Sequence, residues 1–254
     1  MDFPQLDVPL PEGMTTSAEL RAMEDLRGRE SDAADVSGGI RIRAIKQEGL
    51  RVGAQTGLAA RYSMIMQYME GVEPKMNVAF SFNGFVRDGR LLVPAVIEVK
   101  DRLSYDAETG QATEVKQAYT IIEEARVVTS IPTWRDYLFQ VYEQPELPHE
   151  SILPRTEEEV EVWKEALQTG WTSGVYQADQ IYQDRINDLT RAVEGRYLYR
   201  TLESKNMISP AALQVVANKV TFNGRTMNIG ETIYSIGDAG NYKQASGWRP
   251  VWTR

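Results

Sequence analysis

The side chains that most often do chemistry are thinly spread in this sequence. It holds one histidine, His149, and no cysteine. His149 sits between Pro148 and Glu150 in a proline-rich connection, where an imidazole is usually solvated rather than set up as a general base. Without cysteine there is no thiolate nucleophile and no disulfide, and with a single histidine a transition-metal site is not expected. The acidic run from Glu157 to Glu161 opens a helical pattern. It reads as the negative first turn that a helix dipole favours, not as a metal cluster. No Gly-x-Ser-x-Gly elbow, phosphate-binding loop, Gly-x-Gly-x-x-Gly turn or Asp-rich calcium loop occurs. A glycosidase-type carboxylate pair would have to be assembled by the fold, and nothing singles one out. The expectation is a protein with no catalytic, cofactor-binding or metal-binding residues.

What the sequence does space regularly is glycine. Gly49, Gly53 and Gly57 fall one turn apart within a helical pattern over 40–70, and Gly170 and Gly174 fall one turn apart in a second. Each glycine lowers helix propensity by roughly 0.8–1 kcal/mol relative to alanine, so three on one face imply a neighbour that must come close. The second pattern, 156–210, carries Val160, Trp163, Leu167, Trp171, Val175, Ala178, Tyr182, Ile186, Leu189 and Val193 at an average spacing of about 3.67 residues. Thr156 is the expected N-cap, and Asn206 and Pro210 the stop. The two glycine faces are the natural partners, so these five glycines are helix-packing candidates. After Val193 the stripe slips to Leu198 and Leu202, with Gly195 in the gap. A kink or a short new helix is expected there. Tyr62, Met66 and Met69 read as core at the end of the first helix.

Strand signals flank these helices. Val78, Phe80 and Phe82 alternate with smaller or polar residues, and Asp88-Gly89 is a two-residue turn signal. That turn would pair Val78 with Val99, Phe80 with Ile97, Phe82 with Ala95 and Val86 with Leu91, with Pro94 marking an edge or bulge. Residues 106–110 form a longer turn into a third strand over 112–128, giving an antiparallel meander. Asn223-Gly224 marks a second hairpin, with Val220 opposite Met227 and Phe222 opposite Arg225. Thr133 should cap a short helix bearing Trp134. Trp134, Trp248 and Trp252 are the interaction candidates, the last two near the C-terminus.

Together these give an α+β fold: two long helices packed with antiparallel hairpins, preceded by an extended arm. Residues 1–38 read as that arm, with prolines at 4, 9 and 11, a short helix capped by Thr16 or Ser17, and a polar linker. Residues 39–254 read as a single domain. The net charge of −8 argues against non-specific nucleic-acid binding, and no basic patch interleaved with aromatics is present. No apolar run approaches the roughly 20 residues of a spanning helix. Three function classes stay open on these residues: a structural or interaction subunit, a hydrolase with an unrecognised carboxylate pair, and a periplasmic ligand-binding protein.

Several blocks, in order, resemble the DotC family of type IVB secretion systems, which includes subunits of Dot/Icm machines and of the I-type plasmid conjugation apparatus. They are LRVGAQTGLAARY at 50–62, LLVPAVIEVKDRL at 91–103, IPTWRDYLF at 131–139 and ILPRTEEEVEVWKEALQTGWTSGVYQADQI at 152–181. RYLYRTLESKNMISP at 196–210, VTFNGRTMNI at 220–229 and GWRPV at 247–251 follow. The most specific are Pro132-Thr133-Trp134-Arg135 and Gly170-Trp171 followed by Gly174 and Gln177-Ala178. The resemblance implies a non-enzymatic periplasmic protein associated with the outer membrane. It would be part of a core complex with a DotD-like lipoprotein, a DotH-like protein and copies of itself. It also implies a lipid anchor on a cysteine, a residue that this sequence lacks.

Overall fold

The computed structural model describes residues 18–28 and 38–248. The arm over 1–14, the caps Thr16 and Ser17, and Trp252 lie outside the described residues. In chain order the helices are α1 (Ala18–Glu24), α2 (Gly38–Gly71), α3 (Glu73–Ala79), α4 (Trp134–Leu138) and α5 (Glu157–Ser204). The strands are β1 (Val86–Arg87), β2 (Leu91–Leu92), β3 (Ala95–Asp106), β4 (Gln111–Glu123), β5 (Arg126–Val127), β6 (Ala212–Asn223) and β7 (Thr226–Asp238). The fold is α+β, and the long helices α2 and α5 pack together. The chain divides into two compact units. One joins the residues up to Ala79 with Tyr137–Ile186, and the other joins Phe80–Asp136 with the residues from Asn187 onward.

The first unit is helical. Thr156 caps α5: its hydroxyl accepts from the Glu159 N–H at 3.3 Å, while the Glu159 carboxylate accepts from the Arg155 N–H at 2.8 Å. This is close to a capping box, with the acid reaching one residue further back. The stripe of α5 buries Trp163, Leu167 and Trp171, which cluster with Leu20 of α1 and with Ile45 and Val52 of α2. The Trp163 indole N–H donates to the Met23 carbonyl at 2.9 Å, whereas the indole N–H of Trp171 in the same cluster is buried without a partner among the described residues. Tyr62, Met66 and Met69 are buried, as core residues should be.

The second unit holds the sheets, and here, as at α3 at the edge of the first, the structure departs from expectation. No strand forms over 77–82. Residues Glu73–Ala79 are α3 instead, with Pro74 in the first turn, where its missing N–H leaves nothing unsatisfied. That helix buries Met76 and leaves Val78 82% exposed. The turn at Asp88-Gly89 does form, with φ of 49° and 66°. Arg90 joins it as a third loop residue, so Val86 pairs with Leu92 and Arg87 with Leu91, one residue off the expected register. Pro94 then separates β2 from β3.

Beyond it β3 pairs with β4, Ile97 opposite Thr120 and Val99 opposite Ala118, across the turn at 107–110. Meanwhile β5 joins β2, giving a three-stranded sheet and a separate long hairpin where one meander was expected. In the β6–β7 hairpin the turn residues are Gly224 and Arg225. Phe222 pairs with Met227 and Val220 with Ile229, so each partner on β7 lies two residues beyond the expected one. Gly224 has φ of 57° at the first central position while Arg225 at the second is not of positive φ, which fits a type II′ turn and not a type I′ turn, where both central residues need φ above zero.

The expected kink at Gly195 is also absent: α5 is one helix from Glu157 to Ser204. The stripe does not slip but continues through Arg196 and Tyr199, both fully buried. Gly195 serves β3 instead, since a Cβ there would lie 2.9 Å from the Ala95 Cβ and 3.0 Å from the Val96 nitrogen. The helix ends at Asn206, whose φ of 58° is the left-handed stop.

Candidate functional site

Two features stand out: a seam between helices in the first unit and a hairpin face in the second. The seam is made by the five glycines. A Cβ on Gly49 would lie 2.9 Å from the Ala166 Cβ, and one on Gly57 2.5 Å from the Trp171 carbonyl oxygen. On Gly53 it would overlap the Leu167 carbonyl, on Gly170 the Leu50 carbonyl, and on Gly174 the Ala54 carbonyl. The obstruction is backbone in four of the five cases, so no side-chain rotation relieves it. The seam is reciprocal, because each helix presents its glycines to the other's carbonyls.

Ion pairs flank the seam. Arg61, 5% exposed, donates to Asp179 at 2.7 Å. Arg41 donates to Glu159 at 2.7 Å and to the carbonyls of Ser151 and Leu153. Burial alone would raise the Glu159 carboxyl, but the hydrogen bonds from Arg41 and the Arg155 N–H outweigh it and hold the group below its ordinary value. Near the other end, burial pushes the Tyr182 phenol up to about 12, with its hydroxyl against the Met69 sulfur. Glu159 is therefore ionised and Tyr182 neutral near pH 7.

The segment after α4 crosses this unit as an extended strap. Tyr62 holds it by donating to the Leu138 carbonyl at 2.7 Å, and Arg185 by donating to the Tyr137 carbonyl at 2.9 Å. A groove of about 430 Å³ lies along it, lined by Ala60, Ser63, Met66, Gln67, Phe139 and Tyr142. His149 is in the same connection, its Nδ1 accepting from the Ser151 N–H at 3.2 Å. Among the described residues no cluster of His, Asp and Glu could hold a metal ion, and no helix is long and apolar enough to cross a membrane.

In the second unit, sequence reasoning missed Arg196. It is fully buried, donating to the Ala192 carbonyl and to Glu123, both at 2.6 Å, with its guanidinium over the Phe82 ring. The signal was there, three residues after Val193 on the buried stripe, but a cation at a core position was not credited. Trp134 is buried, with the Arg135 guanidinium 4.5 Å from its ring centre. Trp248 is 45% exposed and donates to the Lys243 carbonyl.

The β6–β7 hairpin has an uneven pair of faces. On one face Val216 sits opposite Ile233, Val220 opposite Ile229, and Phe222 opposite Met227. All six are exposed, Phe222 at 77% and Ile229 at 75%. The other face carries Thr221 opposite Asn228 near the turn, and Val215 opposite Tyr234 nearer the body, where the Arg90 guanidinium stacks 4.6 Å from the Tyr234 ring.

A model of the family described as type IV secretory system, conjugal DNA-protein transfer, matches residues 39–250. The chain belongs to this family. The match begins with α2 and takes in the glycine seam, both long hairpins and Trp248. No curated protein matches the chain. As a member of this conjugal-transfer family it is a component of a type IV secretion system. The glycine seam and the hairpin are therefore features of a transport apparatus subunit.

Proposed function

We propose that this conjugal-transfer protein is a non-catalytic scaffold subunit of the outer-membrane core complex of a type IVB secretion or conjugation system. In this reading it resides in the periplasm at the outer membrane and helps to place a DotH-like partner there, beside a DotD-like lipoprotein and further copies of itself. The observation that carries the reading is the family match over residues 39–250, extended by the DotC-like blocks within it. The site chemistry supports it: buried Arg61 and Arg196 are committed to ion pairs, and six exposed apolar residues share one face of the β6–β7 hairpin.

The test is affinity purification of the tagged chain from the native envelope, with mass spectrometry of what accompanies it. Core-complex proteins should co-purify, and deleting the gene should abolish transfer. Recovery of the full-length protein wholly in the cytosol, without any partner of the apparatus, would end this reading. A periplasmic ligand-binding role is the second reading, favoured by the groove at Met66, Phe139 and Tyr142. Native mass spectrometry showing a bound small molecule on the purified protein would support it.

A further inference from the structure

We propose that this chain pairs with a second copy of itself through the β6–β7 hairpin, apolar face on apolar face. The two-fold axis passes between the Val220–Ile229 row and the Phe222–Met227 row. The inference stands on the hairpin alone and goes beyond the envelope reading.

The first argument is area. A two-stranded hairpin is marginally stable by itself, and one with six exposed apolar side chains on one face needs a cover. Those six side chains expose on the order of 600 Å², the size of the largest apolar patches on monomers. Two such faces packed together would bury roughly 1,200 Å² in total, the lower bound for a specific interface.

The second argument is the polar pair that crosses the face. Asn218 lies opposite Glu231, between the Val216–Ile233 and Val220–Ile229 rows. A carboxylate in the middle of the face is costly against lipid tails and favours a protein surface with a cation at the matching place.

The third argument is that the chain supplies this cation itself. Glu231 lies one row on the body side of Val220–Ile229. Arg225, in the turn, lies one row beyond Phe222–Met227. The axis midway between those apolar rows sets Phe222 and Met227 of one copy on Val220 and Ile229 of the other. The same operation brings Arg225 to Glu231 at both ends, the self-complementary arrangement that a two-fold contact demands. Among the described residues no ion pair or side-chain hydrogen bond engages the side chain of Arg225 or of Glu231.

The experiment is sedimentation velocity on the full chain over a concentration series, with circular dichroism melting as the folding control. The expected result is a reversible dimer. Phe222→Asp should keep the chain monomeric, and so should Ile229→Asp, which stands in if the first variant folds poorly. Glu231→Arg and Arg225→Glu should each weaken the dimer roughly ten-fold or more. The double charge-swap variant should restore it, and so should an equimolar mixture of the two single variants, because each then meets its opposite.

A wild-type chain that stays monomeric at high micromolar concentration overturns the proposal. So does a dimer indifferent to Phe222→Asp and Ile229→Asp, or charge variants that neither the double nor the mixture rescues. Flotation with phosphatidylglycerol–phosphatidylethanolamine vesicles completes the set. A monomer that binds them, and loses binding on Phe222→Asp, assigns the face to lipid and likewise refutes the self-contact.

Discussion

The glycine seam and the β6–β7 hairpin face treat side-chain size in opposite ways. At the seam the chain removes every atom it can, so that two helix backbones meet. On the hairpin it places Phe222, Met227 and Ile229 where nothing covers them. Small residues at a buried contact serve folding, because the contact is made once within each chain. Large apolar residues on an exposed face add little to the free chain's stability, because they stay wet until something arrives. The β3–β4 hairpin sharpens the contrast. It has the same antiparallel topology and nearly the same length, and it pairs buried Val96 with Ile121. Yet its most exposed apolar residues, Leu103 and Tyr105, face Glu114 and Ala112, so no row of large exposed apolar side chains forms. Exposure alone is shared by both hairpins. What marks β6–β7 is that its large exposed apolar residues pair with one another.

The comparison breaks most readily at the seam. Gly53→Leu and Gly174→Leu should each destabilise the chain by about 3 kcal/mol or more, since a side chain there meets backbone carbonyls. Urea denaturation with an unchanged midpoint for either variant would remove the glycines from any structural role.

The next effect in size belongs to the buried cation of the second unit. Glu123→Ala leaves Arg196 uncompensated and should cost about 2–3 kcal/mol, less than for a fully buried pair because Glu123 reaches solvent. Pairing it with Arg196→Met should recover most of the loss. If the double variant is as unstable as the single, the charge is not what matters at that position.

A smaller effect is expected from pH. The Glu159 carboxyl is held below its ordinary value of 4.5, so its ion pair contributes stability above that value. The contribution is lost as pH falls through the lowered folded-state value. Arg41→Gln should therefore flatten the decline of the thermal midpoint below about pH 4.5, a change readable by calorimetry. Parallel curves for wild type and variant would show that the pair has no such linkage.

The smallest effect on stability should come from the hairpins. Phe222→Ser and Leu103→Ser should each shift the folding free energy by no more than about 0.5 kcal/mol. Only the first should alter association. Equal effects of the two on sedimentation would erase the distinction between the hairpins.

Much of the helical unit was legible in the sequence. The α5 stripe, the Thr156 cap and the positions of the five glycines follow from a period of 3.6 residues and from the cost of glycine in a helix, both local properties. The hairpin turns were legible as turns, since Asp88-Gly89 and Asn223-Gly224 mark left-handed backbone. Their registers were not, because one extra loop residue at Arg90, or a turn centred on Gly224-Arg225, changes every pair beyond it. Val78 and Phe80 misled because a short alternation at a helix end looks like a strand, and Pro74 was the overlooked sign of a helix start. Of the candidate site, the pairing of Phe222 with Met227 and of Val220 with Ile229 was not read, because it depends on the register.

By itself, then, the sequence determined the helices, the turn positions and the poverty of catalytic side chains, all set by residues close together in the chain. Only the tertiary structure decided that Arg196 is a core residue, that Gly195 admits a strand, and which apolar residues sit opposite one another on the hairpin. The first two depend on partners tens of residues away, Glu123 for Arg196 and Ala95 for Gly195, and the third on the turn that joins β6 to β7. Packing and register, not local preference, choose among them.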